Sequence, residues 1–261
     1  MKSAAGGAAV RVWTSIIVHA ALVLLAFVSL LPFLWMLCAA FKQPADIFES
    51  PLLPWGHLDR LTLDNFAHLT AQVPFTRWLI NSLFLASTTT VSVVTLSSLA
   101  GFALAKYRFR AKRPLMLFML GTMLLPSQVI LGTLYELIAH LGWINSYLAI
   151  LVPGSVSVFG AFLFRQAILH VPDELIQSAR LDGCSEIRIW WEIALPLVRP
   201  TIGAYTLMSF LASWSGFLWP QIVLQDEAKY TLPIGLNNML GLQSFLQRDF
   251  VAGLTSAAVK G

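Results

Sequence analysis

Five histidines, two cysteines and one carboxylate inside an apolar run are the residues whose type could support chemistry, and their spacing argues against most of it. His19, His57, His68, His140 and His170 form no HExxH or other close ligand pair, so zinc-assisted hydrolysis finds no site and no metal ligands are expected. Cys38 and Cys184 lie far apart and make no CxxC, which leaves them as packed thiols rather than a redox or zinc pair. Glu136 and His140, four residues apart, share a helical face and could relay a proton, although a place at an outer interface accounts for them more simply. No GxxxxGK[ST] loop occurs, so the chain has no Walker site for ATP. Glu136 is the one candidate acid in the apolar runs, so an embedded enzyme acting on lipid or peptide is disfavoured. No catalytic residues and no cofactor are expected.

The longest polar interruption between apolar runs is Val171 to Pro200, VPDELIQSARLDGCSEIRIWWEIALPLVRP. Pro172 suits a helix start, and Asp173 and Glu174 complement the positive end of the helix dipole, which predicts a helix to about Leu181. Gly183 supplies the turn. Ser185 caps a second helix running through Glu192, whose Ile187, Trp190, Trp191 and Ile193 give an apolar face before Pro196 and Pro200 end it. Amphipathic helices of this kind lie on a membrane or dock into a partner's groove.

The elements that position this segment are read from composition. Hydrophobic residues make up 57% of the 261 residues and charged ones 11%, against about 25% charged in soluble domains. A bilayer core of about 30 Å needs roughly 20 helical residues, and five stretches meet or approach that length: Ile16–Phe41, Leu79–Ala105, Pro114–Ile138, Tyr147–Leu163 and Thr201–Leu224. The fold class is therefore all-α, a polytopic transmembrane helix bundle forming a single domain over residues 1–261. The net charge of +4 does not point to nucleic acid, because the basic residues sit in short clusters between apolar runs. Since Lys and Arg in short loops mark the cytoplasmic side, Lys106–Arg113 and residues 165–200 are expected inside. Residues 1–12 are then a cytoplasmic N-terminus, and 42–78, with Asp46, Glu49, Asp59 and Asp64, an extracytoplasmic loop. Pro126, Pro153 and Gly154 interrupt spans and fit either a water-lined pathway or ordinary kinks.

The Val171–Pro200 stretch resembles the EAA loop of bacterial ABC-importer permeases. Pro172, Asp173, Glu174 and Leu175, then Ala179, Asp182, Gly183 and Leu195-Pro196, fall at the family's spacing. The likeness is to the carbohydrate-uptake branch, the maltose- and glycerol-phosphate-type inner-membrane proteins. It extends through Leu31–Lys42, Asn81-Ser82, Leu125–Val129, Phe162–Gln166, Trp214–Pro220 and Gly253–Gly261. It implies a bacterial inner-membrane permease subunit that imports a sugar, polyol or sugar phosphate. It also implies partners: a dimer of ABC ATPase subunits, a second homologous permease, an extracytoplasmic solute-binding protein and membrane lipid. Residues Asp173, Glu174, Gln177, Ser178, Ala179, Asp182 and Gly183 would form the coupling element that docks on the ATPase. Trp214, Phe217 and Trp219 would line the pathway, where aromatic faces suit sugar rings.

Two departures qualify that expectation. The glutamate usual in the EAA triplet is Gln177 here, so a neutral hydrogen bond, about half as strong as a charge-assisted one, would replace a salt bridge. After the fifth span, Pro233–Gly261 contains Gln243, Gln247, Arg248 and Asp249, and the apolar stretch for a sixth span is missing. A truncated, non-transporting remnant or membrane scaffold is therefore the alternative reading.

Overall fold

The computed structural model describes residues 2–43, 46, 47, 61–71, 73–239 and 241, with the side chains of 2–12 and of Ser127 excepted. Of the tail from Pro233 to Gly261, residues 240 and 242–261, with the Gly253–Gly261 motif, lie outside the described residues. Among these residues the structure is helical, with one isolated antiparallel bridge between Lys42 and Leu61. The chain divides into two compact units, residues 1–74 and 75–261.

In the first unit, helix α1 spans Lys2–Ala40 and continues through Pro32. From Trp13 to Ala40 it is long and apolar enough to cross a membrane, and its hydropathic residues face outward on all sides, as suits a helix solvated by lipid. Helix α2 (Asp64–Ala71) follows, tied back by Asn65, whose amide donates to the carbonyls of Ala40 and Lys42.

The second unit is organised on α3 (Phe75–Lys106), whose 32 residues extend about 48 Å at 1.5 Å each. Beside it run α4 (Lys112–Met123), α5 (Ser127–His140), α6 (Leu148–Gly154) and α7 (Val158–Leu169). Leu148–Leu169 reads as one further span. The third expected span is bent: α4 and α5 meet at 104°. Pro126 has no N–H to donate and forces the preceding residue out of the helical region, so α4 stops before it. Among the described residues, three helices are thus long and apolar enough to cross a membrane, or four if this bent pair is one span. The fifth expected span divides into α11 (Arg199–Trp214) and α12 (Leu218–Val223) around Gly216, each too short alone. Between α7 and α11 come α8 (Asp173–Leu181), α9 (Glu186–Ile189) with a π turn at Trp190–Ala194, and α10 (Leu195–Leu197); α13 (Leu232–Met239) closes the described chain.

Two ends of α3 are fixed by contacts. At its start the Trp78 indole donates to the Glu227 carbonyl and Asn81 to those of Ala228 and Tyr230. Asn145, at positive φ, accepts from the backbone of Gln225 and Asp226 at that same end. At its finish Lys106 meets Val171 and Asp173. The chain from Arg199 to Val223 therefore runs from one end of α3 to the other, as a broken crossing.

Glycines set how closely the helices pack. A Cβ on Gly101 would lie 2.7 Å from the Arg165 backbone nitrogen and closer still to Phe164. Gly160 sits between Ser97 of α3 and the Tyr205 hydroxyl of α11. Small residues at such crossings let backbones approach where no hydrophobic force drives helices together. Gly101→Val is expected to cost about 1–3 kcal/mol through overpacking, read as a lowered unfolding temperature in detergent. Gly121→Ala, inside α4 where nothing lies within 4 Å, should not lower it and should raise it slightly through helix propensity.

Candidate functional site

The segment from Val171 to Val198 folds as a clip held on the end of α3 and α7. Pro172 is the residue before α8, and Asp173 and Glu174 occupy its first turn. Ile176 and Ala179, three apart, turn inward and the rest of α8 is exposed. The helix ends in a Schellman motif: Gly183 takes φ +79°, its N–H donates to Arg180, and the Cys184 N–H donates to Ala179. Ser185 then accepts from the Arg188 N–H and starts α9. Ile189, Trp190, Ala194 and Val198 continue the inward face, packing with Phe164, Ile168 and Tyr205 in one cluster.

Charge fixes the clip as firmly as packing does. Lys106 Nζ lies 2.6 Å from both Asp173 Oδ1 and the Val171 carbonyl. The lysine side chain is 4% exposed and the aspartate 67%, so the stem of the cation is sealed in and its head meets the loop. Arg180 grips Glu186 through two bonds, 2.7 and 3.0 Å, joining α8 to α9. Its guanidinium also lies over the Tyr107 ring, 5.6 Å from the centroid. Lys106, Tyr107, Asp173, Gln177, Arg180 and Glu186 rim a hollow of about 440 Å³. The hydrogen bond from Lys106 holds the Asp173 carboxyl below its ordinary 3.8, and that from Arg180 holds Glu186 below 4.5. Burial, with the hydrogen bond to Glu186, pushes Tyr107 up.

The residues expected to couple are brought together with one exception. Asp173, Glu174, Gln177, Ser178, Asp182 and Gly183 are exposed on one short segment, whereas Ala179 is buried and packs the loop against its support. Ser178 donates to the Leu175 carbonyl. Asp173 is engaged by Lys106, while Glu174 and Asp182 make no ion pair among the described residues. The apolar face expected on the second helix is split: Trp190 is buried, but Ile187 and Trp191 are 63% and 64% exposed. Trp191 lines a recess of about 450 Å³ with Thr90, Val94 and Ser98 of α3 and Ile202 of α11, whereas Leu181 on α8 is 89% exposed. Lys106, Arg180, Glu186 and Leu181 had no motif to mark them; the alternation of one buried and several exposed positions along α8 was the available signal for Leu181.

The proposed pathway aromatics are not equivalent. Trp214 is half-buried and stacks on Phe210 at 6.0 Å. Phe217 and Trp219 pack into a second cluster, around Leu85, Ile150 and Val223, and the Trp219 indole donates to the Ala149 carbonyl. His140 Nδ1 contacts the backbone carbonyl of Glu136, 2.7 Å away, so that pair is a local helix contact. Asn81 spends its amide on the 228–230 backbone.

With this geometry in view, residues 93–258 match the family described as the binding-protein-dependent transport system inner membrane component. The chain belongs to that family of multi-pass inner-membrane permeases. Among its relatives, the arabinooligosaccharides transport system permease protein AraQ of Halalkalibacterium halodurans is 32% identical over 260 residues, 91% of this chain and 93% of that protein. The sn-glycerol-3-phosphate transport system permease protein UgpE of Escherichia coli is 31% identical over 238 residues, 88% and 83% of the two. The fold matches a chain of a bacterial ABC transporter involved in the import of the acidic polysaccharide alginate, with TM-score 0.77 over 86% of this chain and 79% of that one, at 21% identity.

Carboxyls held below their ordinary values stabilise the clip above those values, and that contribution is lost only as pH falls through the depressed ones. Hydrogen exchange over residues 171–189, corrected for its intrinsic pH dependence, should stay flat from about pH 5 to 8 and rise only in stronger acid. At neutral pH, Arg180→Ala should raise exchange several-fold over 180–189 and leave α3 unaffected.

Proposed function

We propose that this chain forms half of the translocation pathway of an ATP-driven importer and that residues 165–200 dock on a separate dimer of ATPase subunits. The observation that carries this reading is the outer face of the clip. Leu181 and Ile187 are large apolar side chains held in the open on a polar segment, beside Glu174 and Asp182, which make no ion pair among the described residues. An exposed apolar patch rimmed by charge is the form of a docking surface. The surface is rigidly joined to the helices through Ile176, Trp190 and the Lys106 and Arg180 bridges, so displacement of a docked partner passes directly into α3 and α7.

The cytoplasmic orientation of this face is supported by charge. The Lys106–Arg113 cluster and the clip share one end of α3, and positive loops stay on the cytoplasmic side. On this reading residues 1–12 are inside and 42–78 outside. The sugar, polyol or sugar-phosphate substrate is supported by the relatives, which are arabinooligosaccharide and sn-glycerol-3-phosphate permeases. A second permease and an extracytoplasmic binding protein complete the system, with Trp214 the freest of the three aromatics to meet a sugar ring. The remnant reading is not favoured, since alignment spans 93% of one relative and the family match runs to residue 258.

Two variants of the complex reconstituted with its ATPase and binding protein test the docking surface. Leu181→Asp removes a side chain whose burial is worth about 1.5–3 kcal/mol, so ATPase association should weaken about 10- to 100-fold. Gln177→Glu should preserve or increase substrate-stimulated ATP hydrolysis. A sharp loss in the second variant, or unaltered assembly in the first, would place the docking surface elsewhere.

A further inference from the structure

We propose that Arg108, Lys112 and Arg165 build a site for the phosphate of an anionic phospholipid at the basic end of α3, α4 and α7. Residues 106–113 contain five cations, Lys106, Arg108, Arg110, Lys112 and Arg113, and no acid. Lys106 is used by Asp173 and the Val171 carbonyl. Lys112 Nζ has one recorded partner, the neutral carbonyl of Tyr107 at 3.1 Å. Arg165 comes to this region from α7, against which α4 packs, and Lys112 lies within electrostatic reach of both Arg165 and Arg108. The Arg165 Nε is shut off from solvent and has no acceptor among the described residues. Arg108 feels Asp173, but that carboxylate is already bonded to Lys106.

The start of α4 makes the imbalance larger. Ala111 gives no side-chain cap and the first turn holds no acid, so the positive end of the helix faces the same region uncompensated. Three cations from three elements, with no counter-charge among them, leave a desolvated donor unpaired, and this is costly. A phosphate seated among the three side chains supplies charge-assisted acceptors to the Lys112 ammonium and the guanidinium groups. Leu115 and Phe118, the next residues along α4, are exposed and offer apolar surface beside the phosphate. Acyl chains fit there and free phosphate has no use for it. Basic recesses between membrane helices hold anionic headgroups by this combination. Assignment to the inner leaflet rests on the cytoplasmic reading given above; the site itself does not.

The test is a binding titration of the full-length, delipidated chain in neutral detergent with short-chain phosphatidylglycerol, followed by thermal stabilisation. Saturable stabilisation is expected, with phosphatidylcholine and inorganic phosphate ineffective at the same concentrations. Lys112→Gln and Arg165→Gln should each weaken binding about fivefold, equivalent to about 1 kcal/mol per cation. Arg165→Lys should keep most of it, and the exposed Arg110→Gln should leave it unchanged. Should Arg165→Gln not accumulate, Lys112→Gln at its helix end carries the comparison. Equal weakening by Arg110→Gln, or equal effect of phosphatidylcholine, would overturn a built site. Equal effect of inorganic phosphate would overturn the lipid. Because no ATPase or binding protein is present, failure here is separate from failure of the transport reading.

Discussion

The close crossing of α3 and α7 at Gly101 is the constraint on which the second unit depends. A side chain there would meet the backbone of Phe164 and Arg165, so the absence of one lets two long helices lie in direct contact. Phe164 and Ile168 are then fully buried, and Tyr205 packs edge-on against Phe164 from α11. In a bilayer, apolar burial gives no preference for helix over lipid, so close packing and internal hydrogen bonds must supply the cohesion. The pattern here follows that rule, with small residues at the crossings and long apolar ones facing out.

The polar clip exploits the same crossing. Its inward residues, Ile176, Ala179, Ile189 and Trp190, extend the cluster that Phe164 and Ile168 begin. Apolar packing alone would leave the clip free to slide, because it has little direction. The Lys106–Asp173 and Arg180–Glu186 bridges add direction, one tying the clip to α3 and the other tying its two helices together. Exposed ion pairs add little stability, and their value here is geometric. The face turned away keeps Leu181 and Ile187 in fixed relation to one another.

The helix breaks have a physical origin as well. Pro126 ends α4, Ser155–Ser157 separate α6 from α7, and Gly216 lies between α11 and α12. At the break between α6 and α7 the freed groups are met locally: Ser157 caps α7 through the Gly160 N–H, and Ser155 donates to the Leu151 carbonyl. Irregular backbone at membrane depth survives only with such partners.

Much was legible in the residues themselves. The apolar runs follow from what a bilayer demands of length and composition, and the clip's helix boundaries follow from local capping chemistry at Pro172, Gly183 and Ser185, which needs no distant partner. The family likeness rested on that same stretch. What tertiary structure decided was anything requiring two distant segments to meet. Lys106 and Asp173 are far apart in sequence, and nothing in either marks the other. Ala179 belonged by motif to the docking residues, yet the packing of α8 turned it inward. Trp190 and Trp191 are neighbours of equal hydrophobicity, and only the supporting helices chose which to bury. Composition determines that a helix forms and which solvent it suits, because those are local free energies; which face it presents is settled by the surfaces it meets.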